Sequence, residues 1–254
     1  MSPLTSAILY PAMKSVSPQA EPEKETYVRS LFDGIAHRYD FLNHLLSGGT
    51  DILWRRKAVQ LLGSRNPRSV LDLATGTGDL AIETARGLPA HVTGVDISEN
   101  MLRVGRGKIE ALGLSRRISL RVGKAEELEF PASSFDAVTV AFGVRNFADL
   151  GKGLREMYRV LRPGGTAMIL EFSTPTGRFF GPIYAFYFRR ILPVIGGLVS
   201  GSRASYQYLP NSVREFPDGD EFLNLLREAG FANPLSTRLT LGIATIYTGI
   251  KTAP

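Results

Sequence analysis

Ser69-Val-Leu-Asp-Leu-Ala-Thr-Gly-Thr-Gly-Asp79, with His91-Val-Thr-Gly-Val-Asp-Ile97 following after one short helix, decides the architecture. Residues 69–73 have the length and apolar content of a buried strand, and residues 91–95 repeat that pattern and end at Asp96. Between them, residues 78–86 read as a helix. Gly76 and Gly78 permit a tight turn and a close approach of ligand to backbone. In open α/β sheets ligands bind outside the carboxyl ends of the strands, where Asp72 and Asp96 both stand.

The same alternation continues towards the C-terminus. Ser98 is placed to cap a helix running to about Leu112, with Leu102, Ile109 and Leu112 on its inner side. Strands are expected at 118–122 and 135–142, and Leu150, Leu154, Met157 and Leu161 mark a helix that Pro163-Gly164-Gly165 stops before a strand at 166–172. After Pro217 comes a helix at 220–229 with Phe222, Leu225 and Leu226 inward, and then strands at 231–239 and 241–251. The link between those two is too short for a crossover, so they must be antiparallel. Upstream, Phe32, Ile35, Tyr39, Leu42 and Leu46 recur at helical spacing over residues 30–46, with a break expected near Asp40. Gly48-Gly49 separates this stretch from a helix at 51–62 that carries Trp54, Arg55 and Arg56. Strand and helix in alternation predict a doubly wound, Rossmann-like α/β fold: a mostly parallel seven-stranded sheet with an antiparallel C-terminal strand and helices on both faces.

Residues 1–24, with Pro3, Pro11, Pro18 and Pro22 and no sustained apolar period, read as a flexible tail and not as a secretory signal. One domain is expected over 25–254, with a helical cap at 25–65 and an insertion at 173–216. The chain has no cysteine, which excludes disulfides, thiol nucleophiles and thiolate metal sites. No run of 18 or more residues lacks charge, which disfavours a spanning helix. The formal charge of +6 favours acidic partners.

Ala81 at the third position of the glycine pattern is compatible with a dinucleotide, so the pattern alone leaves a nicotinamide or flavin cofactor open. Asp79 in the first helical turn and Asp72 ahead of the turn oppose a pyrophosphate and suit a cofactor bearing an ammonium group. Asp96 can accept from both hydroxyls of a ribose, and Gly123-Lys124-Ala125-Glu126-Glu127 after the third strand can read an adenine edge with its backbone. Ribose, adenine and a cationic amino-acid arm describe S-adenosylmethionine.

These residues closely resemble the menaquinone and ubiquinone biosynthesis C-methyltransferases. The matching segments include Phe32-Asp-Gly-Ile-Ala-His-Arg-Tyr-Asp40, Asn43-His-Leu-Leu-Ser-Gly-Gly49, Trp54-Arg-Arg56, Phe142-Gly-Val-Arg-Asn146, Leu170-Glu-Phe-Ser173 and Tyr206-Gln-Tyr-Leu209. The resemblance implies an S-adenosylmethionine-dependent methyltransferase fold and methyl transfer to a ring carbon of a prenylated quinol, demethylmenaquinol first and a dual quinone specificity second. It implies cofactor contacts at Thr77 in the turn, at Asp96 with Ile97 beside it, and at Lys124-Ala125 near adenine, in a seat shaped by Asp72, Gly76 and Gly78. A further contact, often a serine in the family, falls on Ala141, where only the backbone can serve. Lys124 replaces a more usual Asn or Asp, so the backbone of Ala125 is the firmer expectation.

For the chemistry, Arg145 is expected either to stabilise a phenolate or to form a salt bridge, and Asn146 to orient a ring oxygen or a water. His37 and His44 are each either bases or structural hydrogen-bonding residues, Asp40 and Asp33 can polarise water, and Tyr39 and Tyr206 can line the ring slot. No metal is needed. The insertion carries Arg178, Arg189, Arg190, Arg203 and Arg214 against Glu215, together with Phe179-Phe180, Tyr184 and Phe186-Tyr187-Phe188. It reads as a substrate-side cap, and with it as a surface for a prenyl chain and anionic headgroups. The expected setting is cytoplasmic and peripheral to the membrane, with room for a homodimer and no nucleic-acid partner.

Overall fold

The computed structural model describes residues 21–175, 208 and 211–253. Tyr206 and most of the insertion lie outside the described residues. Seven strands form one sheet: β1 (Ser69–Leu73), β2 (His91–Asp96), β3 (Ile118–Val122), β4 (Phe135–Ala141), β5 (Leu161–Phe172), β6 (Ala232–Leu239) and β7 (Ala244–Ile250). Their order is β3-β2-β1-β4-β5-β7-β6. The first five pair in parallel, and β7 lies between β5 and β6, antiparallel to both. The expected antiparallel C-terminal strand is therefore an interior one.

Helices α1 (Glu21–Ile35), α2 (Tyr39–Ser47) and α3 (Thr50–Gly63) precede the sheet; α4 (Asp79–Gly87), α5 (Glu99–Ala111), α6 (Leu150–Val160) and α7 (Asp220–Glu228) connect its strands. Alternate residues of the central strands feed two cores. Leu71, Val138 and Ile169 face Leu154, Met157, Phe222 and Leu226 of α6 and α7. Val70, Ala137 and Met168 face Trp54, Leu62, Ala81 and Ile109 of α3, α4 and α5. Side chains on alternate faces of a buried parallel strand explain why β1 and β4 read as continuous apolar runs.

Three expectations are corrected at the boundaries, and the break expected near Asp40 is present. α1 begins at Glu21, so residues 21–24 belong to a helix and not to the tail; residues 1–20 lie outside the described residues. The break near Asp40 is a 3-10 turn at Ala36–Arg38. Leu112 is 43% exposed, because α5 ends one residue before it. α6 stops at Val160, ahead of the proline, and Pro163-Gly164-Gly165 lies inside β5, where the register with β4 shifts and Gly164 N donates to Lys251 O. The missing proline N–H is harmless in this bulge, where residues 162–165 have no strand partner on β4.

Candidate active site

The carboxyl ends of β1, β2 and β4 open into a cleft of about 680 Å3, mouth included, closed above by α1 and α2. Phe32, Tyr39, Gly76, Asp96, Ile97, Ala125, Ala141, Asn146 and Phe147 line it. Ala74 and Phe142, the residues that follow β1 and β4, take left-handed backbone angles, φ 49° and 58°.

Asp96 knits the floor. Its Oδ2 accepts from Gly76 N at 2.8 Å and its Oδ1 from Ser98 N at 2.9 Å. Each carboxylate oxygen keeps a second lone pair for a ribose hydroxyl. Burial pushes its pKa up, against the pull of these amides. Gly76 and Gly78 both have positive φ, 57° and 83°, and Gly78 caps α4 without lining the cleft. Ala141 and Ala125 reach the cleft as backbone and small side chains. Lys124 lies in the groove alongside, 3.2 Å from Glu127 and 3.9 Å from Glu25, where a short surface-facing strand end turns it outward.

A narrower recess continues inward from the cleft, lined by Tyr39, Arg55, Asp72, Ala74, Gly76, Thr77, Asp79 and Ala141. Asp72 is 1% exposed and accepts from Thr75 Oγ1 at 2.6 Å and Thr139 Oγ1 at 2.7 Å. Burial pushes its pKa up to about 6, with the two hydroxyls and Arg55 pulling it down and Asp96 adding to the rise. In the folded chain Asp72 keeps its proton to higher pH than in the unfolded chain. The contribution of Asp72 to stability is therefore fully present below the ordinary aspartate value and is lost as pH rises through about 6. Over the same window affinity for a cationic ligand rises. Titration calorimetry with S-adenosylhomocysteine between pH 5 and 7 will show tighter binding with rising pH, and Asp72→Asn will flatten the profile.

The expected catalytic residues separate. Asp40 accepts from Thr77 Oγ1 and, at 2.7 Å, from Lys108 Nζ, and Lys108 also binds Asp79. This ties α2 to the glycine turn and α5, so Asp40 acts as a latch. His37 is exposed and does not line the cleft. His44 Nδ1 lies 2.9 Å from Asp51 Oδ2, on the cap. Asp33 accepts from Ser98 Oγ.

Arg145 sits on a 3-10 turn, Val144–Asn146, after β4. Its Nη1 donates to Glu171 Oε1 and to Phe142 O, each at 2.6 Å, and its guanidinium lies over the Phe172 ring. The pair is nearly solvent-free, with side-chain exposures of 6% and 0%. Of the two readings of Arg145, the salt bridge is the one formed. Asn146 lines the cleft, and its Oδ1 accepts from Tyr208 Oη at 2.9 Å. Sequence reasoning missed Glu171, Tyr208 and the inward reach of Arg55. A lone acid within the apolar run Ile169-Leu170-Glu171-Phe172 was a usable signal for the first.

The donor set suits one ligand chemistry: a carboxylate for a ribose, a backbone-lined slot for a flat base, and a recess of carboxylates around one cation for a zwitterion. Fold and site together define an S-adenosylmethionine-dependent methyltransferase. Among solved structures, a methyltransferase of that kind from Thermotoga maritima superposes with a TM-score of 0.62 at 21% identity, over 88% of this chain and 99% of its own. Phosphoethanolamine N-methyltransferase 2 of Haemonchus contortus, solved with S-adenosyl-L-methionine, gives 0.58 at 17% identity over 78% of this chain and 52% of its own. At such identities the likeness concerns the fold alone. The chain belongs to the ubiE/COQ5 methyltransferase family, whose model matches residues 20–251. It is 52% identical to the ubiquinone/menaquinone biosynthesis C-methyltransferase of Geobacter sulfurreducens, over 90% of each chain. It is 44% identical to the demethylmenaquinone methyltransferase of Bacteroides fragilis, over 95% of this chain and 99% of that one, and 48% identical to that of Thermus thermophilus, over 86% and 99%.

Proposed function

We propose that this protein methylates a ring carbon of a prenylated quinol, converting demethylmenaquinol to menaquinol. The observation that carries this is full-length identity of 44–52% to enzymes with those names. An aromatic cleft wall of Phe32, Phe142 and Phe147 beside Asn146 supports it, since a flat apolar ring fits there.

When bound, S-adenosylmethionine supplies an electrophilic methyl group on a positive sulfur. Asp96, Ile97 and the backbones of Gly76, Ala125 and Ala141 would hold the cofactor in the cleft, with Asp72 and Thr77 in the recess. The quinol carbon becomes nucleophilic as the ring hydroxyl gives its proton to water; that carbon takes the methyl group as the sulfur–methyl bond breaks and S-adenosylhomocysteine leaves, then passes its own proton to water to restore aromaticity, and the phenolate is reprotonated from solvent. Asn146 touches the ring oxygen. Its Oδ1 is occupied by Tyr208, which leaves the amide N–H groups to steady the developing phenolate. Arg145 and Glu171 position Asn146 from behind. Asn146→Ala will lower kcat about a hundredfold and Tyr208→Phe about tenfold, while affinity for S-adenosylhomocysteine stays within twofold, as steady-state kinetics and calorimetry will read.

Purified protein given labelled S-adenosylmethionine and demethylmenaquinol, reduced and in detergent, should yield labelled menaquinol. Absence of product under these conditions defeats the proposal. The arginines and aromatics of the insertion are proposed to meet anionic lipid on the cytoplasmic side, as a substrate with an isoprenoid tail requires. Among the described residues no helix is long and apolar enough to cross a membrane. Flotation with anionic but not with neutral liposomes is the expected result; absence from both fractions would leave the insertion as a cap only.

A further inference from the structure

Among the residues that line the inner recess the cation is Arg55, which the helical cap supplies, while Lys108 binds Thr77 and Asp79 of its wall. Arg55, on α3, is 6% exposed. Its Nη1 donates to Asp51 Oδ2, four residues back on the same helix, which fixes the guanidinium. Its Nη2 lies 3.6 Å from Asp79 Oδ2, beyond hydrogen-bond range. Asp79 Oδ2 is itself buried without a hydrogen-bond partner. Asp79 is compensated on its other oxygen by Lys108, so the Arg55 Nη2 edge faces the recess with no hydrogen bond to Asp79. Buried polar groups are normally paired, and one left short in a cavity wall marks where a ligand completes the bonding.

The recess shares Tyr39, Ala74, Gly76 and Ala141 with the main cleft, and Ala125 lines the cleft but not the recess. With the ribose at Asp96 and the base near Ala125, the remaining arm of the cofactor points into it. That arm is a zwitterion and needs both signs of charge. Asp72 and Asp79 provide the negative side. We propose that Arg55 is the residue that binds the α-carboxylate of the cofactor's amino-acid arm, through the Nη2 edge that Asp79 does not reach. A planar guanidinium pre-oriented by Asp51, and held 5.5 Å from the centre of the Phe142 ring, presents parallel donors that match a carboxylate. The cap helix thus contributes directly to the affinity of a site otherwise built by strand ends. This assignment rests on the cofactor reading above.

The test compares two ligands by calorimetry. S-adenosylhomocysteine carries the amino-acid arm; 5′-methylthioadenosine keeps adenine, ribose and sulfur and lacks that arm. Arg55→Met is expected to weaken S-adenosylhomocysteine about ten- to a hundredfold and to leave methylthioadenosine within twofold of the wild-type value. Arg55→Lys, which keeps the charge without the fork, is expected to fall between. Unchanged S-adenosylhomocysteine affinity in Arg55→Met overturns the proposal, as does an equal loss for both ligands, which would mark Arg55 as structural. Wild-type protein that binds neither ligand overturns it differently, by removing the cofactor reading beneath it.

Discussion

Asp96→Ala abolishes measurable binding of S-adenosylhomocysteine and lowers stability by about 2–4 kcal/mol. Two losses combine. The ribose loses its acceptor, and the buried N–H groups of Gly76 and Ser98 lose theirs. Ser98 N closes the turn into α5, and Gly76 N holds the glycine loop against β2, so one carboxylate keeps both loops in place. Asp96→Asn separates the contributions, because its single carbonyl oxygen can satisfy only one of the two amides while its NH2 opposes the other. Its affinity is expected to recover little and its stability about half. Calorimetry with S-adenosylhomocysteine and urea melts of the ligand-free protein check the two parts independently.

The second large effect is at the ion pair behind the cleft. Arg145→Ala is expected to cost about 3–5 kcal/mol, because Glu171 then loses its counter-charge while fully enclosed. Burial already pushes the Glu171 pKa up, with Arg145 the main opposing influence. Methyl transfer should fall more than a hundredfold as the turn carrying Asn146 loosens. Replacing both partners by apolar residues of similar size, Arg145→Met with Glu171→Leu, removes the unpaired charge and should return most of the stability without the activity. Urea melts and turnover assays on the single and double variants read these outcomes. Recovery of activity in the double variant would show that the pair serves only the fold.

The parts of this molecule that follow from short-range pattern were legible in the chain. Residues 69–73 and 91–96 are strands because alternate side chains enter two cores, and that requires the apolar runs seen there. Ser98 caps α5, its Oγ accepting from Met101 N, as its place before the helix indicated. Pairings that join distant segments were not legible. Nothing local to Tyr208 points at Asn146, 62 residues away. Asp40 looked available for proton transfer until Thr77 and Lys108 were found to hold it. Lys124 follows the right strand, but a chain at the sheet's edge has solvent on one side, and the lysine takes that side.

The left-handed residues that end β1 and β4 bear on how this sequence can drift. A non-glycine residue in that conformation carries a penalty of roughly 1–2 kcal/mol, and a branched side chain more. Ala74 has almost nothing to lose, so a library selected for folding alone should converge there on alanine, glycine and asparagine. Phe142 carries the same backbone angle, yet its ring packs 4.6 Å from Phe172 and 6.1 Å from Trp54. Selection at that position is therefore set by the ring and not by the main chain, and aromatic residues should persist where backbone preference alone would have replaced them.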